Sequence, residues 1–321
     1  MKKEACPRLI IICGPTASGK SALALRLAQQ LDAEIINADS MQVYKLMNIG
    51  TAKPAPEHLA AVRHHLIDIV RPDEPFSAAN FMEAADCAIK EIAARGKRVI
   101  VVGGTGLYIR ALLQGLVDSP SGAGEIRSRL QQEAREIGNQ AMLEKLRNVD
   151  PDSANQMHSN NLVRIIRALE VYELTGIPLS RSQQEHRFSQ ERYEAIKIGV
   201  KRDRKALYAA IDARVDTMMS EGLLEEVQAL LKAGYSPEAK SMRGIGYKEL
   251  TAFLAGKYSL HEAVELIKRD TRRYAKRQLT WFNADKSLIW LEYPEDFATI
   301  FYHAFNFMNI QEDSAHGKST I

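Results

Sequence analysis

Residues 14–21 read Gly14-Pro15-Thr16-Ala17-Ser18-Gly19-Lys20-Ser21, which fits the pattern G-x-x-x-x-G-K-[ST]. Before them, Leu9-Ile10-Ile11-Ile12-Cys13 is continuously apolar; after them, Leu23, Leu27 and Leu31 recur every four residues. A buried strand, a glycine-bounded loop and an amphipathic helix are thus expected in succession, the context this pattern requires. Two glycines let the backbone fold into a nest of N–H groups that holds phosphate oxygens. The helix start adds partial positive charge. Lys20 brings a point charge to a terminal phosphate, and the Ser21 hydroxyl is a candidate ligand for Mg²⁺. Chance alone yields such a match in roughly one chain in a hundred of this length. The motif indicates phosphate, but neither which phosphate compound nor which bond breaks.

Further strands are expected at Glu34 to Asn37, His65 to Val70, Arg98 to Val102, Ala195 to Val200 and Leu288 to Leu291, and helices at Gly19 to Leu31 and Asn80 to Arg95. Apolar strands alternating with helices predict an α/β fold, a parallel sheet covered by helices on both faces. Asp118 to Gly124 has linker chemistry, and helical patterning without a good strand follows from Glu125 to about Arg187. The organisation expected is a core over 1–117, an all-helical insertion over 118–190, a return to the core with basic helices over 191–310, and a polar tail over 311–321. No apolar run approaches the ~20 residues of a membrane span. Three cysteines, Cys6, Cys13 and Cys87, offer neither a disulfide framework nor metal-ligand spacing, which fits a reducing cytoplasm.

Ligands of open parallel sheets bind beyond the carboxyl ends of the strands. Asp39 follows the second strand and sits there as a candidate general base or metal-linked carboxylate, or as a loop Asp capping a turn. Gly103-Gly104-Thr105-Gly106 follows Arg98 to Val102 at the same edge. Its glycines permit close backbone approach, and Thr105 is a candidate donor to a phosphate or acceptor from an amine. His64-His65 lacks a third ligand at useful spacing and reads as packing.

These residues, with Asn37 to Tyr44, Ile49 to Pro54, His64 to Asp68, Gly103 to Tyr108, Arg164 to Tyr172, Ser241 to Glu249 and Lys276 to Phe282, resemble the bacterial tRNA dimethylallyltransferases over nearly the whole chain. The resemblance implies transfer of a dimethylallyl group from dimethylallyl diphosphate to N6 of the adenosine just 3′ of the anticodon, in tRNAs reading codons that begin with U. It implies that Gly14 to Ser21 hold the donor's diphosphate and not ATP, with Mg²⁺ as cofactor. Asp39 matches the general base and Thr105 a residue touching diphosphate and substrate. Asp39, Ser40, Met41 and Gln42 match contacts to the target base, and Arg127 a tRNA contact at the start of the insertion that grips the anticodon stem-loop. The tRNA-binding set expected from the matching segments continues with Val163, Arg164, Ile165, Ile166, Arg167, Arg243, Gly246, Tyr247, Lys248, Arg277, Gln278 and Trp281. Within it, Ile165 and Ile166 supply a buried side and Arg164 and Arg167 an RNA-facing one. The sequence departs from the family pattern at His158-Ser159-Asn160-Asn161 and at Asn283.

The net charge is only +3, from 43 basic and 40 acidic residues, but its distribution is uneven. Lys268 to Arg277 holds six basic residues and one acid. At 100° per residue, Arg269, Arg272, Arg273 and Lys276 cluster on one face, opposite Val264, Ile267, Thr271, Tyr274 and Gln278. Such a helix packs one side on the core and offers the other to RNA phosphates. A monomer is expected. The alternatives are prenyl transfer to a free adenine nucleotide and a phosphotransferase using ATP, which needs an arginine-bearing lid that no segment singles out.

Overall fold

The computed structural model describes residues 7–116, 124–186 and 191–309. Cys6, most of the linker stretch from Asp118 and the polar tail from Gln311 lie outside the described residues. The chain forms two compact units, Met1–Leu113 with Arg192–Ile321, and Gln114–Glu191.

The larger unit is built on a six-stranded parallel sheet. Its strands are β1 (Leu9–Cys13), β2 (Ala33–Asn37), β3 (His64–His65), β4 (Arg98–Gly103), β5 (Ala195–Lys201) and β6 (Ile289–Glu292), in the order β3-β2-β4-β1-β5-β6. Strand β1 and the run Val99–Val102 of β4 are apolar throughout and buried because both faces are covered. Leu9, Ile11, Ile36, Val99 and Val101 pack on one side, against α3 (Ala78–Ala94), α4 (Gly106–Gln114), α10 (Leu223–Lys232), α11 (Tyr247–Leu254) and α12 (Leu260–Asn283). Ile10, Ile12, Ile35, Ile100 and Val102 pack on the other, against α1 (Lys20–Leu31) and α13 (Phe297–Asn309). The periodic leucines of α1, Leu23, Leu27 and Leu31, are all buried there. Helices α2 (Pro56–Ala61) and α9 (Arg204–Ser220) complete the unit.

One expected strand is cut short. Only His64 and His65 pair with β2; from Leu66 the chain leaves the sheet and returns as a single bridge between Tyr44 and Val70. Leu66 and Asp68 both have positive φ, 64° and 56°, which a strand cannot accommodate. The two histidines are packing residues. His65 Nε2 lies 2.7 Å from Glu34 Oε2, and His64 Nδ1 lies 2.8 Å from the Val62 carbonyl. Arg95 makes two further bonds to Glu34, and with His65 it holds that carboxyl down at about 2 against the effect of burial.

The smaller unit is helical over its described residues: α5 (Gly124–Val149, broken at Gly138), α6 (Pro151–Asn155), α7 (Leu162–Thr175) and α8 (Leu179–His186). Leu130, Met142, Leu143 and Leu146 of α5 pack on Ile165, Ile166 and Leu169 of α7. Among the described residues, no helix is long and apolar enough to cross a membrane.

Candidate active site

The loop from β1 to α1 has the backbone its sequence predicts. Gly14 and Gly19 adopt φ of +148° and +95°, open to glycine and costly for other residues. Gly19 caps α1 without a side-chain acceptor, so the N–H groups of the first turn have no side-chain partner. Lys20 curls back over the loop and donates to the Pro15 carbonyl at 3.1 Å. Burial pulls its pKa down to about 8, a fall opposed by Asp39 and reinforced by Arg214. Arg214, from α9, lines the same cavity, and desolvation lowers its pKa as well. The Ser18 hydroxyl is buried with no partner.

The loops after β2 and β4 lie against one another. Ala38 N–H donates to the Val102 carbonyl at 2.7 Å, and Thr105 N–H to the Ala38 carbonyl at 3.2 Å. A Cβ on Gly103 would stand 2.1 Å from the Ala38 oxygen, so only glycine permits this approach. The Thr105 Oγ1 accepts from Ser40 N–H at 3.0 Å, while Asp39 Oδ1 accepts from Met41 N–H at 2.8 Å. The Asx turn is therefore real, and it leaves the second carboxylate oxygen, Oδ2, for other chemistry. Gln42 donates to the Thr51 and Ala52 carbonyls at 3.0 and 3.1 Å.

Helix α12 ties these loops together. Gln278, buried on its inner face, accepts from Thr16 N–H at 2.8 Å and donates to the Gly104 carbonyl at 2.9 Å. One side chain thus bridges the β1 and β4 loops. Trp281 packs on Gly106, with Arg110 over its ring at 5.3 Å. Tyr274, one turn before Gln278, interacts with Thr105 and feels the charge of Asp39; burial foremost pushes its phenol up to about 12.

Together these elements line a cavity of about 1280 Å³ that includes Thr16, Lys20, Ser21, Asp39, Arg214 and Tyr274. Arg214 went unmarked by sequence reasoning, and Tyr274 was given no role in the site. Arg214 lies in a helix with no motif, and Tyr274 was legible only as one of the residues on the inner face of α12. Met41, Gln42, Arg243, Gly246, Lys248 and Arg277 also line the cavity. No cluster of three His, Cys, Asp or Glu residues suited to a metal occurs among the described residues. Ser21 alone offers one hydroxyl, which suits Mg²⁺ bound mainly through substrate phosphates and water.

Other expected contacts have different surroundings. Tyr247 is fully buried, its hydroxyl donating to Glu226 Oε1 at 2.7 Å, and its ring is a wall component rather than a free surface. In α7, the side chains of Ile165 and Ile166 are committed to the core, while Val163 is 85% exposed and Arg164 is exposed. Arg127 and Arg167 both bind Glu170, a fully buried carboxylate. The basic face of α12 is partly neutralised within the fold. Arg272 pairs with Asp212 of α9, Lys268 with Asp216, and Arg269 and Arg273 with Asp270. Lys276 and Arg277 remain exposed.

A parallel sheet with a glycine loop before its first helix, a carboxylate at the end of the next strand and two cations lining the cavity beside it has the layout of a transferase site. The IPP transferase family model matches residues 42–285. The tRNA dimethylallyltransferase 1 of Pelobacter propionicus is 66% identical over 307 residues, spanning 96% of this chain and 99% of its own. Two solved structures share the fold. The full-length tRNA isopentenylpyrophosphate transferase of Bacillus halodurans has a TM-score of 0.71 at 38% identity, over 96% of this chain and 99% of its own. A eukaryotic dimethylallyltransferase acting on tRNA has a TM-score of 0.78 at 29% identity, over 96% of this chain and 80% of its own. The chain belongs to the IPP transferase family.

Proposed function

We propose that this protein is a tRNA dimethylallyltransferase, moving the dimethylallyl group from dimethylallyl diphosphate to N6 of the adenosine beside the anticodon. The observation that carries the reading is that Asp39 and Ser40 line the same cavity as Lys20 and Arg214, with Thr105 bonded to Ser40 behind them. The names of the relatives point to the same reaction.

The chemistry divides between the loops. The donor's diphosphate lies against the Gly14 to Ser21 backbone, at the positive end of α1, with Lys20 and Arg214 supplying fixed charge. Ser21 would hold Mg²⁺, which supplies further neutralisation of the leaving group. An exocyclic adenine amine is a weak nucleophile because its lone pair is delocalised into the ring. Asp39 accepts a proton from it as the new nitrogen–carbon bond forms and the carbon–oxygen bond to diphosphate breaks. General-base help of this kind contributes about 10²- to 10⁴-fold. Thr105, whose Oγ1 accepts from Ser40 N–H, is the residue we assign to contact both reactants. The base must leave its stack to reach Asp39, at a cost of a few kcal/mol.

The test is a transfer assay with labelled dimethylallyl diphosphate, Mg²⁺ and unmodified tRNA, with AMP and ATP as controls. Label should enter tRNA, and Asp39→Ala should reduce turnover about 10²-fold or more. Label entering AMP alone, or hydrolysis of ATP without transfer, would overturn the proposal.

A further inference from the structure

The wall of the cavity beyond Asp39 is the loop 41–54 that follows β2. Its segment Asn48–Gly50 is held by one side chain. Glu226, in the first turn of α10, accepts from the N–H groups of Asn48 and Ile49 at 2.8 Å each through Oε2, and of Gly50 at 3.1 Å through Oε1. A fourth donor, the Tyr247 hydroxyl, reaches Oε1 at 2.7 Å. The Tyr247 ring fills the space beside Gly50, where any Cβ would stand 2.6 Å from it. The loop then connects inward, because Gln42 donates to the Thr51 and Ala52 carbonyls. Lys53 fastens the far side, donating to the Tyr44 carbonyl and pairing with Asp68.

Strand order says which substrate this wall serves. The β1 loop, which takes phosphate, lies on one side of β4, and β2 lies on the other. The amine that gives its proton to Asp39 must approach from the β2 side. We infer that Glu226, with Tyr247, is a positioning residue that sets the loop 41–54 for the acceptor base and leaves the donor's site alone. The inference rests on the proposed transfer reaction at this cavity. A carboxylate accepting several backbone N–H groups is charged, strongly bonded and rigid. Glutamine at the same place offers one carbonyl oxygen and an amide that confronts at least one N–H, so the loop loses its fixed form.

The experiment is steady-state kinetics of the full-length protein with unmodified tRNA and dimethylallyl diphosphate varied separately, together with calorimetric titration of the donor. Glu226→Gln should raise KM for tRNA about tenfold, with kcat at saturating tRNA within about threefold and donor Kd within about twofold of the parent. Tyr247→Phe removes one donor of four and should shift KM for tRNA less, in the same direction. Glu226→Asp should recover part of the loss. An unmoved KM for tRNA in Glu226→Gln would overturn the assignment, as would a donor Kd that weakens in step with it. If Glu226→Gln does not fold, Tyr247→Phe decides, and an unmoved KM for tRNA there has the same force. A parent protein that transfers no label to tRNA would remove the transfer reading and this inference together; an active parent with unmoved KM removes only the role of Glu226.

Discussion

Gln278, expected among the tRNA contacts, joins two loops of the site, which makes it a sharp test of how that site is held. Gln278→Glu changes one amide group to a carboxylate of the same shape. The Thr16 N–H keeps its acceptor. The Gly104 carbonyl, now 2.9 Å from a donor, would face a second oxygen. An unmet buried polar group costs about 1–3 kcal/mol, and an adjacent like-charged oxygen puts this one near 3. At about 2–4 °C per kcal/mol, Tm at pH 7.5 should fall by about 6–12 °C. The introduced carboxyl can relieve the clash by taking a proton and donating to Gly104. Its folded-state pKa is therefore raised, by about two units from its usual value near 4.3. The sign follows: the variant approaches the parent's stability below about pH 4.5, and the deficit grows as pH rises through about 6.5. Gln278→Met should be destabilised without this pH dependence. Melting curves of the three proteins from pH 4.5 to 8 measure all of it. A Gln278→Glu protein within about 1 °C of the parent at pH 7.5, or a gap independent of pH, would refute the bridging role.

Burial lowers Lys20 to about 8, so donor binding above that pH must carry a proton into the site. Donor affinity should be flat below pH 8 and fall by up to about tenfold per unit above it, and in Lys20→Met it should be weaker and flat; titration calorimetry in buffers of different ionisation heat reads both. On α12, Arg273→Glu and Arg272→Glu should differ. Arg272 pairs with Asp212, so its reversal should lower Tm as well as tRNA affinity, whereas reversal of the exposed Arg273 should weaken tRNA binding and reduce its salt dependence with Tm within about 2 °C of the parent. Equal melting of the two would contradict the ion pair.

What the sequence determined by itself are the features that depend on neighbours in the chain. The strand–loop–helix over Leu9 to Leu31 is local: apolar run, two glycines, a leucine every fourth position. The placement of Asp39 and Thr105 at one sheet edge follows from strands in parallel, a topological rule and not a contact. The inner face of α12, with Tyr274 and Gln278, was legible from its period. Tertiary structure decided the partners. No periodicity reveals that Gln278 meets Thr16 and Gly104, that Arg214 joins Lys20 from a helix without a motif, or that four donors converge on Glu226. Nor could charge counting tell Arg272, paired across to Asp212 of α9, from Arg273, paired within its own helix with Asp270. The strand expected over His65 to Val70 failed for a related reason. Its composition suits a strand, but Leu66 and Asp68 turn to positive φ where Asp68 meets Lys53, and Lys53 reaches it from a loop fifteen positions earlier. Propensity is set by a residue and its chain neighbours, whereas hydrogen-bond and charge partners are set by where the sheet brings distant loops together.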